Sequence, residues 1–240
     1  MKHLFLCLCL VGLWAPGQAQ STTGGYHFGL KLGPTLANQN WNGADIRPLF
    51  TYHINAFVES RDPNERGSLF AQLGLHNRGS SIFINRIGNL NRSTGRYRFR
   101  NLSLMVGAKK LLDTQILGAQ PYYLIGIRGE YSFSNNMREQ QELFNQIFAS
   151  IPIQEVPTLV RVEPAFAQQW LYGISLGAGF KFEGTEFFDT ALEFTLAPDL
   201  NFQYNRLPGA VGTNSSALQI RNVSFEISLV LKFLREIIYE

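Results

Sequence analysis

Residues 170–182 read WLYGISLGAGFKF. The even positions carry Trp170, Tyr172, Ile174, Leu176, Ala178, Phe180 and Phe182. The odd positions carry Leu171, Gly173, Ser175, Gly177, Gly179 and Lys181. Strict alternation is the period of a β-strand with two unlike faces. One face is apolar with aromatics at both ends; the other is small or polar apart from Leu171. A soluble barrel would turn the apolar face inward, and a membrane barrel would turn it outward into lipid.

Seven further stretches repeat this grammar. The candidate strands cover residues 25–38, 49–60, 67–82, 97–112, 119–134, 168–183, 186–203 and 218–234. Each is long for a globular strand, where about five or six residues is usual. A tilted strand crossing a bilayer needs about 9–11. The connections alternate in length. Strands 2–3, 4–5 and 6–7 are joined by short turns around residues 62–66, 113–115 and 184–185. The other joints are longer, the longest being 135–167. An even strand count, short turns on one side and long loops on the other describe an outer-membrane barrel. The predicted fold is therefore all-β: an eight-stranded antiparallel up-and-down transmembrane β-barrel with long external loops, one containing a short helix. In strand 4 the pattern holds from Leu102 to Ala108 and is expected to slip phase near Arg100, at a bulge.

The rest of the chain bounds the compartment. Lys2 and His3 precede an apolar run over residues 4–14, too short to span a bilayer. Pro16 and Gly17 break it, and Gly17-Gln18-Ala19 is a small-x-small cleavage site. Residues 1–19 read as a secretory signal peptide and 20–240 as the barrel domain. Both cysteines, Cys7 and Cys9, leave with the peptide, so the mature chain has no disulfide or thiolate chemistry. Losing Lys2 leaves 20 basic against 18 acidic residues, a balance that argues against a nucleic-acid partner. The composition, with 19 Phe and 22 Gly, favours strands over helices.

The polar face collects Lys31, Arg78, Lys109, Arg128, Lys181 and Lys232 with Glu59, Glu130, Asp189, Glu193 and Glu226. Eight strands enclose little more than their own side chains. An unpaired charge in that interior is costly. The expectation is a plugged barrel, with a small-solute channel as the alternative.

Three segments carry candidate sites. His53 and His76 fall on the inward face of neighbouring strands, near the external rim. They read as hydrogen-bonded interior residues, or as part of a rim-located lipid-modifying enzyme that lacks a visible third group. In the segment 135–167, Asn136 with Glu139 imitates a capping box. Leu143, Phe144, Ile147, Phe148 and Ile151 then form an apolar stripe at helical spacing. That stripe suits a lid over the barrel mouth, a docking face for another envelope or secretion protein, or a membrane-surface helix. Residues 86–100 hold Arg86, Arg92, Arg96, Arg98 and Arg100 and no acid. Arginine matches phosphate well, so this rim fits the lipid A phosphates of lipopolysaccharide; it fits an ordinary solvated loop equally. No motif for a cofactor, a metal or a catalytic nucleophile is present.

The start YHFGLKLGPTL (26–36) and the pair FRNLSLMVGAKKLL (99–112) and AQPYYLIGIRGEYSF (119–133) resemble the PorT-like outer-membrane β-barrel proteins of the Bacteroidota. Gln120-Pro121-Tyr122 fits that family's pattern, while Val106-Gly107 stands where it has a proline. The resemblance implies an outer-membrane barrel without catalytic residues. It also implies an accessory role in type IX secretion, which exports proteins across that membrane.

One outcome follows from the leader alone. N-terminal sequencing of protein taken from the membrane fraction should begin at Gln20; a mature chain that keeps Met1 would refute the cleavage assignment.

Overall fold

The alternation resolves into nine strands in the computed structural model, which describes residues 23–41, 45–61, 66–84, 93–147, 164–185, 188–206 and 218–238. In chain order they are β1 (Thr23–Trp41), β2 (Asp45–Arg61), β3 (Gly67–Ile84), β4 (Ser93–Leu111), β5 (Ala119–Asn135), β6 (Trp170–Thr185), β7 (Phe188–Pro198), β8 (Tyr204–Arg206) and β9 (Leu218–Ile238). A helix, α1 (Met137–Ile147), follows β5, and a single 3-10 turn spans Pro164–Phe166. Neighbouring strands pair antiparallel, and β9 returns to pair with β1 from Thr23↔Ile238 to Trp41↔Ile220. The sheet is closed, so across the apolar band it has no free edge to satisfy.

β7 and β8 share one position in the ring. β7 pairs with β9 from Phe188↔Phe233 to Pro198↔Val223, and β8 takes over from Tyr204↔Ile220 to Arg206↔Leu218. The barrel is thus eight-stranded, but the continuous strand expected over 186–203 is interrupted. After Pro198 the chain swings towards β6, where Leu200 N donates to Tyr172 O at 2.8 Å. The Asn201 side chain then accepts from Tyr172 N at 3.0 Å and donates to Trp170 O at 2.9 Å, replacing the backbone partner that β6 would otherwise lack.

The two faces settle the solvent. Phe50 is 81 % exposed and Leu69 is 69 % exposed, while Arg78 is fully buried and Glu193 is 3 % exposed. A wall that shows its leucines and hides its charges is folded for lipid outside. On β4 the outward apolar set Leu102, Leu104, Val106 and Ala108 is bracketed by exposed Arg100 and Lys110. At about 3.3 Å per residue and a tilt of about 40°, that interval is about 25 Å tall, the height of a bilayer's apolar band.

Above Arg100, at the end with the long connections, the polarity inverts. Asn38, Asn40, Arg96, Arg98 and Arg221 face out. Ala37, Trp41, Tyr97, Phe99, Tyr204 and Ile220 are buried inside. This end is built like a soluble barrel standing on a membrane barrel. β4 therefore keeps its phase throughout, contrary to the expected slip near Arg100: what changes there is the medium outside. The bulge lies opposite, in β5. Arg100 pairs with Ser134 and Asn101 with Ser132, which leaves Phe133 as the extra residue. At this end β1 runs on to Trp41, β2 begins at Asp45, β3 runs on to Ile84 and β4 begins at Ser93, each further than the lipid-facing pattern alone predicts, whereas β6 begins at Trp170 and β7 stops at Pro198, short of it.

Leu176 is 43 % exposed on the outer wall, in register between Ile125 and Leu196. Leu176→Arg should cost about 2–4 kcal/mol in reversible unfolding from lipid, the range for an arginine near mid-bilayer. A fluorophore at position 176 should be quenched by bromine on the acyl chains, and one at the fully exposed Leu117 should not.

Candidate functional site

The lumen is the first candidate, and it is filled by stacked polar layers. At the short-turn end Lys181 Nζ lies 2.9 Å from Asp189 Oδ2. Next, Glu59 sits between two lysines, contacting Lys109 and lying 2.9 Å from Lys232 Nζ, and it accepts from Ser68 Oγ at 2.8 Å. Lys31 then donates to both Glu193 oxygens at 2.9 and 3.1 Å, and Tyr122 OH donates to Glu193 at 2.9 Å. Phe57, Phe70, Met105, Tyr122 and Leu124 pack between these layers, with the Lys31 ammonium 5.4 and 5.2 Å from the Phe57 and Phe70 ring centres.

Half-way up stand the two histidines. His53 and His76 are directly paired across β2 and β3, with rings 5.5 Å apart and nearly parallel. The expectation placed them near the external rim. They are instead inside, 1 % and 3 % exposed, because the strands extend well beyond them at that end. His53 meets Thr35 Oγ1 and Ser228 Oγ, each at 2.9 Å. His76 meets Glu226 Oε1 at 2.9 Å and Asn55 Oδ1 at 2.7 Å. Gly74 makes the last contact possible: a Cβ there would fall 1.8 Å from Asn55 Oδ1. Among the described residues no group of three or more His, Cys, Asp or Glu side chains is arranged to hold a metal.

Above them lies the densest layer. Arg78 Nη2 is 2.8 Å from Glu130 Oε1 and 3.5 Å from Glu226 Oε1, and Nη1 contacts Ser224. Arg128 is 2.8 Å from Glu130 and 2.5 Å from Asp199, while Asn101 donates to the other Glu130 oxygen at 2.7 Å. Asn222 links Asp199 to Gln203, and Gln39 donates to Gln203 at 3.0 Å. Ser80 and Trp41 Nε1 close the chain on Gln39 Oε1 at 2.8 and 3.2 Å. The Trp41 ring packs 5.0 Å from Tyr97.

Every cation named from the sequence is therefore paired, but the pairing is richer than expected. Asp199 was not among the expected carboxylates, although it has the same strand parity as Glu193 and counting on by twos would have reached it. Asn101, Gln39, Gln203 and Asn222 were also missed, because neutral amides carry no charge signal. The void between Lys31, His76, Glu193 and Glu226 measures about 10 Å³, at the lower limit for one water.

The second candidate is the end with the long connections. β5 stops at Asn135, so the β4 backbone edge at Arg96–Arg98 loses its strand partner. The helix start replaces it: Arg98 N donates to Asn136 Oδ1 at 2.7 Å, Asn136 Nδ2 donates to Arg96 O at 2.8 Å, and Arg96 N donates to Gln140 Oε1 at 3.1 Å. This corrects the capping expectation. Asn136 is spent on β4, and Asn135 Oδ1 accepts from Met137 N at 3.2 Å instead. α1 ends at Ile147. Its buried residues are Met137 and Gln140, whereas Leu143 is 42 % exposed. The side chains of Phe144 and Ile147, and all of Phe148 and Ile151, lie outside the described residues. Arg96, Arg98 and Arg100 stand in one exposed column on the outer face of β4 with no acidic partner among the described residues; Arg86 and Arg92 lie outside them.

No family model matches the chain, and no curated protein sequence matches it. Among solved structures it is similar to the outer membrane protein OprG from Pseudomonas aeruginosa, at 12 % identity over 88 % of this chain and 96 % of that one, with a TM-score of 0.49. It is also similar to Neisserial surface protein A, at 10 % identity over 87 % and 96 %, with a TM-score of 0.43. A third is Ail of Yersinia pestis, at 11 % identity over 87 % and 99 %, with a TM-score of 0.39. The assignment as an outer-membrane type of barrel rests on this chain's own closed sheet and inverted faces.

Glu130 is the hub of the upper layer, so Glu130→Leu should cost about 3–5 kcal/mol in chemical unfolding, the usual result of stripping one partner from a buried pair. A double change, Glu130→Leu with Arg78→Met, should recover much of that loss, because Arg128 keeps Asp199 and Glu226 keeps its contact with His76.

Proposed function

We propose that this protein is a non-enzymatic component of the bacterial outer membrane that presents its long-connection end to a partner in the envelope. The observation that carries this reading is the paired lumen. With each layer bridged and about 10 Å³ of void between Lys31 and Glu226, the barrel serves as a rigid mount rather than as a conduit. At the far end the barrel presents α1, anchored to β4 through Asn136 and Gln140, and the arginine column beside it. The column lies just above the apolar band, at the depth of lipid headgroups, and suits the phosphates of lipopolysaccharide. The resemblance to PorT-like barrels makes an accessory role in type IX secretion the sharpest form of the proposal. The rival uses, a rim enzyme working through His53 or His76 and a small-solute channel, draw less support from buried histidines and a filled lumen.

Four measurements test it. In planar bilayers the purified protein should give no stable ohmic steps; reproducible single-channel currents would overturn the mount. On intact cells a cysteine introduced in place of Glu142 in α1 should react with an impermeant maleimide and one in place of Leu117 should not, the mature chain having no cysteine of its own. Crosslinking from the thiol in α1 in native membrane should then capture a defined envelope protein, and deleting the gene should impair export of type IX cargo if the secretion form holds.

A further inference from the structure

We propose that the outer wall over β2–β5 is a binding site for one glycerophospholipid, seated in the leaflet at the short-turn end. This rests on the membrane reading above.

Two hollows in the lipid-facing wall run into each other there. One, of about 660 Å³, is lined by Ala71 with Val58, Val106 and Ile127; the other, of about 470 Å³, is lined by Ala108 with Lys110 and Tyr123. They share Ser60, Leu69 and Ile125. Strand register explains them. Outward residues form level rows across the sheet: Val58, Ala71, Val106 and Ile127 in one, Leu69, Ala108 and Ile125 in the next, then Gly67, Lys110 and Tyr123. Ala71 and Ala108 are diagonal neighbours, so these two small side chains leave adjoining hollows between larger ones. Leu69 at 69 %, Ile125 at 55 % and Ile127 at 65 % exposure stand up as their ridges. Phe70, Gly107 and Gly126 border them through the backbone, since their register row faces the lumen. From the Ala71 row to the Lys110 row the joined hollow runs about 13 Å along the strands.

Its two ends differ in chemistry. The body is an open apolar hollow, which fits an acyl chain lying along the wall. The mouth holds Lys110, exposed at the edge of the apolar band. No carboxylate pairs with Lys110 among the described residues; the nearby Asp113 is engaged by Arg66. An ammonium at headgroup depth beside such a hollow is complementary to a lipid phosphate with its chain running towards mid-bilayer. That joint requirement, phosphate and chain at fixed separation, selects a glycerophospholipid over a neutral lipid or a free anion.

Native mass spectrometry of the refolded, delipidated full-length mature protein tests this, with dioleoylphosphatidylglycerol and dioleoylglycerol as probes. Wild type and Leu229→Phe, an outward change on the opposite wall, should each retain one phosphatidylglycerol. Ala71→Phe fills the hollow and should lower retention at least tenfold. Lys110→Gln should lower it several-fold for phosphatidylglycerol and leave the weaker dioleoylglycerol signal unchanged. Equal retention by Ala71→Phe and wild type would overturn the site. So would wild-type dimers that Ala71→Phe dissolves with no change in lipid, which would give the groove to a second copy of the chain. Failure of the membrane reading looks different: wild type would then stay soluble without detergent and not enter liposomes.

Discussion

The wall of this barrel is one residue thick, and everything else follows from that. Each residue of a strand faces either the lipid or the lumen, and its neighbour faces the other. Where the outside is hydrocarbon, the inside must take every charged side chain that the strands carry. In so narrow an interior a lone charge is severely penalised, so the layers from Lys181–Asp189 up to Arg128–Asp199 each bring cation and carboxylate together. The glycines of the inward face are the corollary: Gly74 leaves the space through which Asn55 reaches His76.

The same rule, applied to a different medium, builds the far end. Once the strands rise past Arg100 the outside is polar, and the inside can be apolar. Trp41, Tyr97, Phe99 and Ile220 then seal the mouth as a core rather than as an ion-paired network. The two regimes meet at Asp199, Asn222, Gln203 and Gln39, where amides relay hydrogen bonds from the charged layer to the aromatic one. With the lumen closed by both means, the proposed function falls to the surfaces. Those surfaces are the outer wall, which lipid covers, and the arginine-flanked helix at the long-connection end.

That helix shows how a barrel with unequal strands protects an edge. β4 outlasts β5, and the exposed backbone at Arg96 and Arg98 would be a template for a stray strand. Asn136 and Gln140 occupy it, which fixes the start of α1 against the barrel and gives the long segment a defined exit.

Period-2 alternation in the sequence determined the closed all-β architecture, the count of eight strand positions, the lipid-facing set and the inward charges, because a strand has only two faces and each residue declares its side by polarity. The arginines of residues 86–100 were legible as a basic segment with no acid, but that Arg96, Arg98 and Arg100 share the outer face of β4 was not. Tertiary structure alone decided the rest. Which cation meets which carboxylate depends on shear around the ring, and sequence neighbours in different strands do not reveal it: Lys31 finds Glu193, and Arg78 finds Glu130. The depth of His53 and His76 depended on how far the strands continue past the bilayer, where the polarity code reverses and the lipid pattern stops being a guide. The break between β7 and β8, and the use of Asn136 as an edge cap rather than a helix cap, came from backbone groups seeking partners across the sheet, a demand that no local spacing records.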